Sequence, residues 1–132
     1  MFVPMQLQVP SPIQQLVEPL YKKMGVEVFV KREDLIHPLI SGNKWRKLKY
    51  TLNKAADEGK QHVVTFGGAY SNHVLATAVA AKALSLQASA IIRGEEQQNE
   101  VLNYCKLAGM KLYFVDRLSY TDKKGCIERV FK

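Results

Sequence analysis

Two short stretches hold the residues best suited to chemistry. The first is Ser41-Gly42-Asn43-Lys44. Gly42 opens backbone conformations closed to other residues, and Asn43 is a suitable cap for a helix starting at Lys44. A lysine in a first helical turn faces the electropositive end of the helix, an unfavourable place for a cation. A lysine that can shed its proton is what imine chemistry with an aldehyde needs. An exposed lysine at an ordinary helix start fits the same spacing. The second stretch is Thr65-Phe66-Gly67-Gly68-Ala69-Tyr70-Ser71-Asn72-His73. Its glycines let backbone approach a ligand closely. Ser71, Asn72 and His73 offer hydroxyl, amide and backbone N–H groups at a helix N-terminus, which suits a carboxylate or phosphate. A plain glycine turn followed by an N-cap fits equally well. Neither GxGxxG nor GxxxxGK[ST] is present.

The elements that must position these stretches follow from the patterning. Residues 1–25 carry prolines at 4, 10, 12 and 19 and read as an irregular lead-in with a short helix near Leu20–Met24. Val26–Lys31 is rich in β-branched and aromatic residues and predicts a strand. Arg32, Glu33 and Asp34 read as turn and ion-pair residues. Apolar residues at Trp45, Leu48, Leu52 and Ala55 predict a helix over Lys44–Glu58, stopped by Gly59. An alternation follows: strand Val63–Phe66, helix Ser71 to about Leu84, strand Ala88–Arg93, helix Asn99–Ala108 and strand Lys111–Val115. Short connections in a β-α-β-α-β series imply an α/β fold, a parallel sheet with covering helices. Ligands of such sheets sit at the carboxyl ends of the strands, where the second stretch falls. Ser119–Lys132 is polar and basic and reads as the start of a helix cut short.

Bulk properties exclude several classes. The chain has 132 residues, 47% of them hydrophobic, which is ordinary globular composition. The net charge is +7, but the basic residues fall in separated clusters (Lys22-Lys23, Arg46-Lys47-Lys49, Lys123-Lys124) without interleaved aromatics. That argues against nucleic acid as a partner. Cys105 and Cys126 show no CxxC pattern, and His37, His62 and His73 have no ligand spacing, so no disulfide framework and no metal site are expected. Cys105 reads as a small core residue. No signal-peptide pattern opens the chain and no apolar run would span a membrane. No membrane partner is expected, and the cytoplasm is the default compartment.

Joined, the motifs are far more specific than either alone. Lys31-Arg32-Glu33-Asp34-Leu35, then Ser41-Gly42-Asn43-Lys44-Trp45-Arg46-Lys47-Leu48, then Phe66-Gly67-Gly68-Ala69-Tyr70-Ser71-Asn72-His73 occur in this order and at these gaps. They resemble the 1-aminocyclopropane-1-carboxylate deaminase and D-cysteine desulfhydrase family, pyridoxal-phosphate enzymes of the tryptophan synthase β-subunit group. The resemblance runs from about Pro10 to about Tyr120.

The resemblance implies a partial tryptophan synthase β-like architecture (fold type II of these enzymes), with pyridoxal 5'-phosphate as cofactor and a small amino acid as substrate. Lys44 matches the catalytic lysine that holds the cofactor and later moves protons. Asn72 matches the asparagine that hydrogen-bonds the cofactor's phenolic oxygen. Ser71 matches a serine near the substrate carboxylate and amine, a catalytic candidate, and the backbone around Asn72 and His73 would receive the carboxylate. A homodimer is implied for the full-length enzyme. Residues 1–50 would belong to the cofactor domain and 51–132 to the smaller α/β domain.

The departures are equally specific. His73 stands where deaminases of the family carry Gln, which leans toward desulfhydrase-like members. Leu75 stands where many members have Arg, and Tyr70 replaces a common Gln. After residue 93 the only glycines are Gly94, Gly109 and Gly125, never clustered, so the family's glycine-rich phosphate loop is not found. The chain is therefore read as an N-terminal fragment. A non-catalytic fragment or interaction module without tight cofactor binding is the alternative.

Overall fold

A computed structural model describes residues 6–40 and 42–132 of the chain; Ser41 lies outside them. The lead-in pairs with the predicted strand. β1 (Ile13–Leu16) runs antiparallel to β2 (Val28–Lys31), with α1 (Pro19–Lys23) between them. A 3-10 turn over Glu33–Leu35 leads to α2 (Asn43–Asp57). The irregular lead-in is thus corrected: it contains a strand. Ile13-Gln14-Gln15-Leu16 shows little strand signal because the ribbon is largely exposed, so burial imposes no period-2 pattern on it.

The predicted alternation is present. β3 (His62–Gly68), α3 (Asn72–Ala83), β4 (Gln87–Arg93), α4 (Glu100–Leu107) and β5 (Lys111–Val115) follow one another. The three strands form a parallel sheet in the order β3-β4-β5.

Packing explains the composition of each element. On one face, Ala88, Ala90 and Ile92 of β4 meet Val74, Ala78 and Ala81 of α3 and Leu102 and Cys105 of α4. α3 is apolar nearly all round because it also touches α2. Leu48 and Leu52 of α2 bury against Ala76 and Ala80, with Trp45 alongside. Each such leucine contributes roughly 1.5–3 kcal/mol of burial. Cys105 is the small core residue expected, and burial pushes its thiol up to about 11.

The opposite face of the sheet is covered by the C-terminal segment. A 3-10 turn (Ser119–Thr121) leads into α5 (Lys123–Val130), and Phe131 then stands edge-on to His62 and Tyr113, at 5.6 and 5.5 Å. Both faces being covered, β4 is buried from Ala88 to Ile92, as parallel strands generally are. The final segment does form a helix, and its start is capped: the Asp122 carboxylate accepts from the Gly125 N–H at 2.9 Å. Among the described residues, no helix is long and apolar enough to cross a membrane.

Candidate active site

Gly42 enters α2 with φ 60° and ψ −143°, a combination open essentially to glycine alone. Asn43 is not the cap. It is the first helical residue, Gly42 is the N-cap without a side-chain bond, and the Asn43 Oδ1 instead accepts from the Lys44 Nζ at 2.9 Å. Glycine wins because only it fits the entry angle. Lys44 is therefore held, half-buried, in the first turn.

At the other stretch, Ser71 is the N-cap of α3, its Oγ accepting from the Val74 N–H at 3.3 Å. Asn72 is exposed and His73 half-buried, both in the first turn. Gly67 is where the chain needs no side chain. A Cβ there would collide with Val74 Cγ2 and lie 2.9 Å from Ser71 Oγ. The loop between β3 and α3 is tied from a distance. Asn99 Nδ2 donates to the Ala69 carbonyl at 3.1 Å, while its Oδ1 accepts from the Leu102 N–H at 2.9 Å and so caps α4.

The two stretches are brought together. α2 and α3 pack side by side, and the positive charges of Lys44 and Lys47 both act on His73. Burial first, then these two cations, hold the His73 imidazole below its ordinary range, so it is neutral near pH 7 and able to accept a proton or hydrogen bond. A groove of about 300 Å3 opens beside it, lined by Lys47, Thr51, Val63, Thr65, His73 and Thr77 among others. A larger hollow of about 630 Å3 lies at the carboxyl ends of β4 and β5. It mixes Arg93 and Arg117 with Glu95, Glu96 and Asp116, and none of Lys44, Ser71, Asn72 or His73 lines it. Of these four, only His73 lines the groove; Lys44, Ser71 and Asn72 line neither hollow. Lys47 went unremarked as a site residue in the sequence, although a position three after Lys44 shares its helix face.

A model of the family described as pyridoxal-phosphate dependent enzyme matches residues 5–130. The chain belongs to that family. Within the family it is 48% identical over 86 residues to a candidate 1-aminocyclopropane-1-carboxylate deaminase of Pyrococcus abyssi, covering 65% of this chain and 26% of that protein. It is 33% identical over 105 residues to the mitochondrial bifunctional D-cysteine desulfhydrase/1-aminocyclopropane-1-carboxylate deaminase of Arabidopsis thaliana, covering 74% of this chain and 26% of that protein. A solved structure of an ACC deaminase homologue superposes with a TM-score of 0.76 at 32% identity, over 94% of this chain and 39% of the other. The chain thus spans about a quarter to two fifths of the length of these relatives.

The residues present fit part of the family cofactor, pyridoxal phosphate. A half-buried lysine amine and an exposed asparagine amide stand in the first turns of two adjacent helices, and Gly68, the last residue of β3, leaves open space where a side chain would stand. Gly94, Gly109 and Gly125 lie after β4, after α4 and inside α5, so these three build no second cradle.

Two stability predictions arise here. Asn99→Ala removes both the α4 cap and the tie to Ala69, and is expected to cost roughly 1–2 kcal/mol in urea unfolding. Asn99→Asp keeps the cap acceptor but loses the donor to Ala69. It should lose part of that stability, and equal stability to wild type would show that the tie contributes nothing.

The second concerns Glu33. The Arg46 guanidinium, the Ser11 hydroxyl and the Lys31 ammonium pull its carboxyl down to about 2 from an ordinary 4.5. Between those values the unfolded chain binds more protons than the folded one. The contribution of Glu33 is therefore whole above pH 4.5 and lost as pH falls to about 2. The gap in urea midpoint between wild type and Glu33→Gln should close over that window. A gap independent of pH would refute the assignment.

Proposed function

We propose that this chain supplies the lysine and substrate-carboxylate part of a pyridoxal-phosphate-dependent deaminase or lyase acting on a small amino acid. The observation that carries the reading is the meeting of two helix starts, with Lys44 on one and Ser71, Asn72 and His73 on the other, in a chain of this family.

When bound, the cofactor supplies an electron sink for the bond broken at the substrate's α-carbon. The chain's own residues do the rest. The Lys44 amine would hold the aldehyde end of the cofactor and could carry a proton at its Nζ. The Asn72 amide would donate to the phenolic oxygen. The backbone N–H groups of the first turn of α3, with the Ser71 hydroxyl, receive the substrate carboxylate. Neutral His73 is an acceptor next to them. The cationic field of Lys44 and Lys47 favours an anionic substrate group over a neutral one. Cleavage of a C–N bond, with one water consumed, releases ammonia and an oxoacid; where a C–S bond is also cleaved, the same balance releases sulfide as well. His73 favours the desulfhydrase-like branch, the family pattern there being Gln for deaminases. In this reading residues 1–50 belong to the cofactor domain and 51–132 to the smaller α/β domain, with α2 running across that division, and the working enzyme is a homodimer.

The test is covalent capture. The protein is incubated with pyridoxal phosphate, reduced with borohydride, digested and mapped by mass spectrometry. Label concentrated on Lys44 is expected, and label spread evenly over the surface lysines would overturn the reading. The second reading, a module that takes no cofactor tightly, rests on the scattered glycines after β4. Stoichiometric uptake in a titration would rule it out.

A further inference from the structure

We infer that Glu33 is a positioning residue for Lys44, holding the chain on both sides of it, by a backbone bond before and a side-chain pair after; this rests on the proposal that Lys44 holds the cofactor. Before Lys44, the Glu33 carbonyl accepts from the Gly42 N–H at 2.9 Å. After Lys44, the Glu33 carboxylate takes Arg46 in a two-point contact, Nε to Oε2 at 2.8 Å and Nη2 to Oε1 at 3.0 Å. A single residue, separated in sequence by the loop through Gly42, thus grips the chain two residues before and two residues after the lysine.

The grip is itself anchored. The Ser11 Oγ donates to Glu33 Oε1 at 2.6 Å, Ser11 is buried, and the Lys31 ammonium donates to the Ser11 carbonyl. Arg32 N–H donates to the Pro12 carbonyl at 2.8 Å, so the β1–β2 ribbon carries the clamp. The Glu33–Arg46 pair is partly exposed, at 26% and 49% of the two side chains. Exposed pairs contribute little net stability. The bidentate geometry contributes orientation instead, fixing the helix start in register and azimuth. Gly42 makes this necessary. Its left-handed entry is the joint with the greatest freedom in the segment, and nothing within α2 restrains the residues ahead of the first hydrogen-bonded turn. Without the clamp, the first turn of α2, which carries Lys44, would be free to shift relative to α3.

The experiment reads direction rather than stability. Wild type, Glu33→Ala, Glu33→Gln and Arg46→Ala are labelled with limiting pyridoxal phosphate and cyanoborohydride. The ratio of label on Lys44 to label on Lys54, an exposed lysine of the same helix, is taken by peptide mass spectrometry. The ratio is expected to fall about tenfold in Glu33→Ala and in Arg46→Ala, with Glu33→Gln between them and wild type because it keeps an acceptor oxygen. A merely structural role would lower the melting temperature and leave the ratio unchanged; that result overturns the inference. Should Glu33→Ala fail to fold, Arg46→Ala and Glu33→Gln carry the test.

If wild type shows no preference for Lys44, the proposed function fails first, and amide exchange at Gly42 judges the clamp separately. Exchange there is expected to quicken about tenfold in Arg46→Ala relative to the α3 amides. Unchanged exchange would refute the clamp whatever the lysine does.

Discussion

Replacing Gly67 by alanine is expected to lower the stability of the chain by about 1–3 kcal/mol and to disorder the start of α3. The methyl group has nowhere to go. It would overlap Val74 Cγ2 and stand 2.9 Å from Ser71 Oγ and 3.0 Å from Ser71 Cβ. Val74 is fully buried, in the cluster with Ala78, Ala81 and Ile92, so it cannot rotate away without opening the core. Ser71 can move, but only by giving up the bond from the Val74 N–H that caps the helix. Gly68→Ala is the matched control, since a Cβ there meets nothing within 4 Å. Urea unfolding of both variants checks the claim: a lower midpoint at unchanged slope for Gly67→Ala, and little change for Gly68→Ala. Equal midpoints for the two would mean that Gly67 is not a packing glycine. The consequence for the site is direct, because the Cβ pushes on the serine proposed to meet the substrate.

Replacing Lys44 by alanine is expected to do the reverse, removing cofactor capture while sparing the fold. The Lys44 side chain is half-buried and its ammonium bonds the adjacent Asn43 side chain at 2.9 Å, a contact made within the first turn. Substitutions of this kind stay within about 0.5 kcal/mol of wild type. Chemistry at the aldehyde has no such tolerance, since a covalent partner is either present or absent. Pyridoxal phosphate followed by borohydride should label wild type on Lys44 and leave the variant with background label on other lysines, at matched circular dichroism and melting temperature. Equal label in both proteins would sink the role of Lys44. Label lost together with the fold would transfer Lys44 to the structural residues, contrary to its exposure.

The parts legible in the sequence are those with local causes. The α/β alternation was legible because strand and helix periods differ, and because glycines stop α2 and α4 at Gly59 and Gly109. The helix starts around Gly42 and Ser71 were legible because turn and cap chemistry is written within three or four positions, whereas Gly67, which reads as a break that lets a ligand approach, lies inside β3 and makes room for Val74. Asn43 shows the limit of that reasoning: a good cap residue stood next to a glycine whose backbone angles took the capping position.

What the tertiary structure alone decided depends on contacts far apart in the chain. β1 exists because it pairs with β2, not because Ile13-Gln14-Gln15-Leu16 favours a strand. Glu33 reads as a turn and ion-pair residue, but only the fold decides that its partner is Arg46, thirteen positions on. Asn99 reads as the first residue of a helix until the structure makes it the cap of α4 and Ala69, thirty positions back, receives its other end. Above all, the start of α2 lies near the start of α3 because Leu48 and Leu52 bury against Ala76 and Ala80. Amino-acid types state which groups are able to do chemistry. Which of them share a site is decided by burial of Leu48, Leu52, Ala76 and Ala80 between two helices, a non-directional force that no local pattern encodes.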